Sequence, residues 1–530
     1  MNSARQVRAR LLGDPADDYR LSRRTSGRIA WLGWLGPLFF TAVGGIMRFW
    51  HVGAPHKLVF DETYYVKQGW SMVLFWFEMK NDDLLQEAQQ VDQHFTANDP
   101  FIYGTQGDFV VHPPVAKWLI GWGEMPFGIL NSFGWRFSVA LAGTLSILML
   151  GLIARRLFRS DLLGTVAAAL LAFEGHHFVH SRTGLLDIFV MFFGLAGFGA
   201  LLIDRDRARA VLARKVGDRP RAATSYLGPW LGWRPWRWVA GVMLGLSTGV
   251  KWSGLYFVIA FGLLTVLWDL GARRAAGVRG WSAGTLAKDA PYAFVQVVGA
   301  ALVTYVASWT GWILSKGGSF RNWADTNPTP YTWLPDWWRS LWAYHQQMFL
   351  STQAINAPHP YQTSPWSWLI QGRPTSFFWE GPKQGTEGCT VDSCAKAITS
   401  IGTVSIWWGA TIAIFVLLFM WALRRDWRAG AILCGIAAGY LPWFVLSGRT
   451  IYSFYEVAFV PWIVLACVYV LGLIIGGRGA SLTRRRVGYG VLGAFVVLTM
   501  ALFAFFHPIY VADVIPLTEW QRRMWFPSWV

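Results

Sequence analysis

Long apolar runs separated by polar or basic segments dominate this 530-residue chain. A membrane-spanning helix needs about twenty mostly apolar residues. Runs that reach or approach that length cover 30–50, 135–154, 161–174, 184–203, 237–250, 253–270, 290–314, 401–423, 430–447, 455–476 and 487–506. They predict eleven spans, with a range of ten to twelve because 161–174 and 237–250 are short. The pattern is that of an all-α polytopic membrane protein.

The polar segments give the orientation. Seven arginines (Arg5, Arg8, Arg10, Arg20, Arg23, Arg24, Arg28) precede the first run, and further clusters begin at Arg155, Arg205, Arg273, Arg424 and Arg478. With the N-terminus inside, eleven alternating spans bring every cluster to the cytoplasmic face, as the positive-inside rule requires. The predicted organisation is a basic cytoplasmic N-terminus (1–29), a transmembrane module (30–314) containing an external loop at 51–134, a second external loop at 315–400, C-terminal helices at 401–506 and an external tail at 507–530. The basic N-terminus leads into a full-length apolar run without an A-x-A site, which predicts a retained first helix.

Composition agrees. Only 15% of residues are charged, 34 are tryptophan and mean hydropathy is +0.33, against about 25% charged in ordinary soluble domains. The net charge of +17 lies in the loops between apolar runs, so it reads as topology and not as a nucleic-acid-binding surface. Cys389 and Cys394 lie five apart in a polar external loop, where they are either free or bonded. Cys434 and Cys467 fall within apolar runs and read as core residues.

Unusually long loops are where chemistry is sought. The first holds two expected interfacial helices, Tyr64–Phe77 and Val115–Leu130. It opens with Phe60-Asp61-Glu62 about a dozen residues past the first span. Two adjacent carboxylates beside a membrane are costly to desolvate. A carboxylate can take the proton of a hydroxyl that attacks a sugar carbon. Asp61 is assigned as base and Glu62 as its orienting or sugar-binding neighbour; an acidic helix start is the plainer alternative. Farther on, His112-Pro-Pro presents His112 and Lys117 on a rigid turn.

Arg136, Arg182, Asp187, Lys251 and Arg449 fall at the predicted external ends of helices. There the positive-inside rule disfavours cations, and charges mark substrate or ion pathways. Arg136, Lys251, Arg182 and Arg449 suit a phosphate diester and would stabilise it as a leaving group. In the second loop, Trp338, Leu341, Trp342, His345, Met348 and Phe349 are expected on one helix face. His359, Tyr361, Trp366 and Arg373 are candidate sugar contacts, although Trp and Tyr also anchor interfaces.

At these residues the sequence resembles the protein O-mannosyltransferases, in their bacterial (actinobacterial-type) branch. The resemblance rests on Phe60-Asp61-Glu62, His112-Pro-Pro with Lys117, Trp135-Arg136-Phe137 and Ser181-Arg182 with Leu185-Leu186-Asp187. It also rests on Gly249-Val-Lys251-Trp-Ser-Gly254, His359-Pro-Tyr361, Pro365-Trp366-Ser-Trp368 and Gly-Arg373-Pro, an ordered set within about 30–460. It implies the GT-C glycosyltransferase fold with about eleven transmembrane helices and a polyprenyl-phosphate-mannose donor. It implies transfer, with inversion at the anomeric carbon, to Ser/Thr hydroxyls of proteins crossing the plasma membrane by the Sec translocon. The family's catalytic pair carries onto Asp61 and Glu62, and its essential arginine onto Arg136. No obligatory metal or other cofactor is expected. The second loop, about 86 residues long, is too short for the lumenal MIR domain of eukaryotic members. The rival readings are another lipid-linked sugar transferase acting on a glycan or lipid, and a transporter, which would show repeated halves.

Overall fold

The computed structural model describes residues 4–13, 32–217, 225–477 and 479–530, except 83, 84, 86, 87, 98, 100 and 101. Most of the basic segment 1–29, with Arg20, Arg23, Arg24 and Arg28, lies outside the described residues, as do Arg219, Arg221 and Arg478. A helix forms in each of the eleven apolar runs. Nine helices among the described residues are long and apolar enough to cross a membrane, from Leu32–Phe49 to Leu482–Ile509. The two short runs become the 12-residue helix Asp161–Ala172 and the 16-residue helix Pro235–Val250, about 18 and 24 Å long by helical rise, short of the ~30 Å hydrocarbon layer.

Both short helices are held by close backbone packing. A Cβ on Gly164 would come within 2.8 Å of the Gly151 carbonyl oxygen, and one on Gly241 within 2.4 Å of the Gln296 carbonyl oxygen. Small residues at such crossings let helices approach where lipid supplies little hydrophobic drive. Beside Gly241 the Trp281–Ser308 span widens into a π turn at Phe294–Gly299. Elsewhere, large apolar side chains such as Ile412 (69% exposed) and Phe415 (70%) point outward, as lipid-facing residues do.

The connections form two faces. On the basic face, Arg234 bonds to Asp204 (3.0 Å) and Asp269 (2.7 Å), Arg237 pairs with Asp269 and Thr265, and Arg273 grips Asp289 at 2.6 and 2.9 Å. The helix Ala4–Leu12 docks there, with Val7 and Leu11 packed in a cluster that includes Leu212 and Ala272.

The opposite face carries the long loops. In the first, a carboxylate helix (Glu62–Phe75) crosses a proline-led helix (Val115–Phe127), so closely that a Cβ on Gly121 would sit 2.4 Å from the Gly69 carbonyl oxygen. Helices thus form at the two segments expected to be helical, Tyr64–Phe77 and Val115–Leu130. Between them lies a two-stranded antiparallel sheet of β1 (Met79–Asn81) and β2 (Tyr103–Gly107). The second loop forms β3 (Thr375–Glu380) and β4 (Cys394–Ser400), and residues of the expected tail add β5 (Val514–Pro516), in the antiparallel order β3-β4-β5. Trp529 is buried and its indole N–H donates to the Gln371 carbonyl at 2.8 Å. The segment expected as a tail is thus part of the loop's fold. Cys389 and Cys394 are disulfide-bonded, closing the turn between β3 and β4. In the helix Asp336–Gln353 the expected single stripe divides. Leu341, Tyr344 and Met348 are buried in a cluster with Trp309 and Trp312, while Trp342 and Phe349 face outward.

Candidate active site

Phe60 sets the direction of the residues after it. Its backbone is left-handed (φ 52°), a costly conformation for an aromatic residue. Its ring stacks on Phe377 of β3 at 4.7 Å and meets Phe454 edge-on at 5.3 Å. The turn it makes starts the carboxylate helix and sends Asp61 and Glu62 to different places.

Glu62 points inward and is fully buried. Its carboxylate takes two bonds from Arg136, both 2.8 Å, one from the Val59 N–H at 2.9 Å and one from the Gly184 N–H at 2.6 Å. Arg136 in turn donates to the carbonyls of Val52, Pro55 and Lys57 at 3.0 to 3.1 Å. Its five N–H groups are therefore all engaged, and the side chain is 1% exposed.

Asp61 is only partly buried and forms no ion pair among the described residues. Its nearest bond is a long one from the Tyr65 hydroxyl, 3.4 Å to Oδ2, one helical turn on. Burial raises its pKa to about 6, against the pull of Lys251; Asp187 adds to the rise. Lys251 pairs with Asp187 at 2.7 Å, and both are buried. The lysine stands in an aromatic box, its Nζ 6.0, 5.8 and 5.6 Å from the rings of Tyr65, Phe454 and Tyr455. The His112 ring lies 6.1 Å from that of Tyr65, its pKa held well below the usual range by burial and by Lys251, Lys117 and Arg449.

Arg449 differs from the other arginines of this face. It is half-buried over Trp443 (5.9 Å), and its one hydrogen bond among the described residues is a 3.4 Å contact to the Thr352 carbonyl. Most of its donors are therefore free to meet an anion.

The chain matches the family model described as "Dolichyl-phosphate-mannose-protein mannosyltransferase" over residues 38–288, and "C-terminal four TMM region of protein-O-mannosyltransferase" over 337–529. It is 36% identical to the polyprenol-phosphate-mannose–protein mannosyltransferase of Mycolicibacterium smegmatis strain MKD8, covering 94% of this chain and 93% of the relative. The chain belongs to the protein O-mannosyltransferase family. A Mycobacterium tuberculosis relative of the same name is 35% identical over 94% of this chain and 92% of its own length. Among solved structures, the Saccharomyces cerevisiae protein O-mannosyltransferase Pmt1–Pmt2 complex bound to the sugar donor superposes with a TM-score of 0.68, at 14% identity and covering 95% of this chain and 94% of that one. This family member therefore has the expected GT-C glycosyltransferase fold.

Within that fold the candidate residues separate. Asp61, His112, Asp187, Lys251 and Arg449 gather around the aromatic box. Arg136 does not serve as a free cation, because Glu62 and three carbonyls occupy it. Arg182 is likewise engaged: it donates to the carbonyls of Met47, Arg48, Trp50 and His51 at 2.6 to 3.1 Å, capping the end of the first span. Lys117 is not at the lip of a loop; it is buried in a 2.5 Å pair with Glu78 and also bonds to the His112 carbonyl. His359 reaches the rim through Tyr452, ring to ring at 5.1 Å. Tyr361 lies under Arg373, which holds the Pro360 and Ser528 carbonyls at 2.7 and 2.6 Å. Trp366 is 79% exposed and packs on Phe444. None of those last three has a hydrogen bond, ion pair or ring contact with Asp61, Glu62 or Lys251 among the described residues, so they are not part of the cluster around the aromatic box.

Four members of the site went unread in the sequence: Tyr65, Tyr452, Phe454 and Tyr455. Tyr65 was legible, since it follows Asp61 at the i+4 spacing that shares a helix face. The run Tyr452-Ser-Phe-Tyr455 follows Arg449 closely, but its relation to Lys251 exists only in the fold.

Proposed function

We propose that this chain transfers mannose from a polyprenyl-phosphate-mannose donor to Ser/Thr hydroxyls of proteins on the extracytoplasmic side of the plasma membrane. In this reading the N-terminus is cytoplasmic and the Sec translocon delivers the acceptors. The names of the close relatives support donor and acceptor. The observation that carries the chemistry is Asp61, a partly buried carboxylate without an ion pair among the described residues, bonded to the hydroxyl of Tyr65, whose ring also lies beside Lys251.

Asp61 takes the proton of the acceptor hydroxyl, the hydroxyl oxygen bonds to C1 of mannose, and the C1–O bond to phosphate breaks with its electron pair staying on the phosphate. Attack opposite the leaving group inverts C1. Lys251 and Arg449 receive the phosphate charge that grows as this bond breaks. A base with a pKa near 6 is ionised at neutral pH yet basic enough to accept a proton. Asp187 holds Lys251 in place, and His112, uncharged, lines the sugar. Glu62 and Arg136 act as a buried pin that fixes the start of the carboxylate helix.

The test uses radiolabelled polyprenyl-phosphate-mannose with a Thr-rich peptide. Asp61→Asn should lower the transfer rate by about 10² to 10⁴ while donor binding persists. Label appearing only in glycan or lipid would overturn the acceptor assignment.

A further inference from the structure

Two adjacent residues of the second-loop helix Asp336–Gln353 reach two different walls of the charged site. The Tyr344 hydroxyl accepts the Val110 N–H at 3.0 Å and donates to the Val110 carbonyl at 3.1 Å. Both residues are buried, and the Tyr344 ring is held among Phe109, Trp309 and Phe320 at 5.1, 5.1 and 5.9 Å. Val110 stands two residues before His112, and Pro113 and Pro114 stiffen the chain just after it. His112 is therefore fixed from both sides.

His345 acts at longer range. A carbonyl can only accept, so the 2.7 Å contact with the Leu341 carbonyl places a proton on His345 Nδ1. Burial lowers the imidazole pKa and keeps the ring uncharged. Its Nε2 lone pair is then left for the Tyr305 hydroxyl at 2.6 Å. The Tyr305 oxygen in turn accepts the Trp252 indole N–H at 3.0 Å. The imidazole also stacks on that indole, with ring centres 5.8 Å apart. Each donor in this chain meets an acceptor, and the chain ends on Trp252.

Trp252 follows Lys251 in the turn that joins helices Pro235–Val250 and Gly254–Ala275. The turn is tight: the Gly254 N–H donates to the Lys251 carbonyl at 2.9 Å, and a Cβ on Gly254 would come within 2.4 Å of the Ser247 carbonyl carbon. In so short a link one residue cannot move without its neighbour. Asp187 holds the tip of the lysine at 2.7 Å, and the Trp252 bond holds its base.

We propose that Tyr344 and His345 are positioning residues for the transfer: His345, through Tyr305 and Trp252, aims Lys251 at the leaving phosphate, and Tyr344 holds His112 against the sugar. The inference rests on the transfer reading above. It makes the second-loop helix the frame that spaces the phosphate and sugar walls of the site.

The experiment uses the full chain in proteoliposomes with radiolabelled polyprenyl-phosphate-mannose and a Thr-rich peptide, and reads kcat and donor KM separately. Lys251→Met should lower kcat by about 10² to 10³. Tyr305→Phe removes only the hydroxyl at the centre of the relay. It should lower kcat about tenfold at unchanged donor KM, as the loss of a contact made in the transition state does. His345→Phe should do the same, and His345→Gln, whose side-chain oxygen can take the Tyr305 proton, should recover most of that loss. Tyr344→Phe should instead raise donor KM about tenfold with kcat kept, because a wall that lines the sugar serves substrate and transition state alike. In a Lys251→Met background, Tyr305→Phe should cost nothing further, since its effect passes through the lysine. Full kcat and KM in folded Tyr305→Phe and Tyr344→Phe proteins, no recovery in His345→Gln, or a Tyr305→Phe loss that persists without Lys251 would make the helix a packing element only and overturn the proposal. In each of those cases a slow Lys251→Met protein leaves the transfer reading standing. A Lys251→Met protein with the wild-type rate would overturn both.

Discussion

The helices Asp187–Gly217, Pro235–Val250 and Gly254–Ala275 carry acid–base contacts at both ends, and the two ends are built on different principles. On the basic face, Arg234 and Arg237 meet Asp204 and Asp269 in equal numbers, all four below 10% exposed and bridged to one another. At the site end, Lys251 and Asp187 balance each other, but among the described residues Asp61 and Arg449 are left over. Buried charges of matched number lock helices together, and removing one partner leaves the other uncompensated. In the proposed mechanism the charges left over are the ones that meet the substrates. The difference teaches that proximity to the site does not leave a cation free: Arg136 and Arg182 are as engaged as Arg234.

Substitutions can break or sharpen this contrast. The largest effect is expected at Asp61→Asn, where the rate loss should come without loss of thermal stability, because the change removes a partly buried charge. A variant that unfolds would place Asp61 with the structural charges. Next come Arg237→Ala, which leaves two buried carboxylates to Arg234 alone, and Arg136→Ala, which orphans Glu62. Each is expected to lower stability by about 3 to 5 kcal/mol, with donor KM unchanged in molecules that remain folded. A folded Arg136→Ala protein with weakened donor affinity would return that arginine to the phosphate. Arg449→Ala should do the reverse. Charge-assisted hydrogen bonds are worth about 1.5 to 3 kcal/mol, so donor KM should rise about ten- to a hundredfold while thermal unfolding stays near wild type; unchanged KM would remove Arg449 from the site.

The smallest effect concerns pH. Because burial raises the Asp61 pKa to about 6, its base form is lost as pH falls through that value, and kcat/KM should drop about tenfold per unit below it. The sign for stability is opposite. A carboxyl whose folded pKa is raised binds protons more tightly in the folded state, so its contribution to stability weakens as pH rises from about 4 to about 6. A rate profile flat down to pH 4 would show that another group takes the proton.

The sequence carried the apolar runs well, because twenty-residue hydrophobicity is a local property. It pointed to Lys251 and Arg449 for the same kind of reason, since a charge at the outer end of an apolar run is conspicuous. It pointed to Asp61 through its place beside Glu62, and these three gather around one aromatic box in the fold. It did not carry the engagement of Arg136 and Arg182. Their carbonyl partners lie 79 to 84 and 131 to 135 residues away, and any carbonyl can accept such a bond. The sheet was hidden for a related reason. Strands of three to seven residues, one of them over a hundred residues from its partner, are too short to show alternation.

The pairing of residues 514–516 with β4 has a bearing on biogenesis. During synthesis, β4 must wait with one border unpaired while four more helices enter the bilayer. An unpaired border of this kind invites adhesion to other extended chains. The late arrival of Val514–Pro516 therefore acts as a molecular clasp, sealing the loop only once the whole bundle has been threaded.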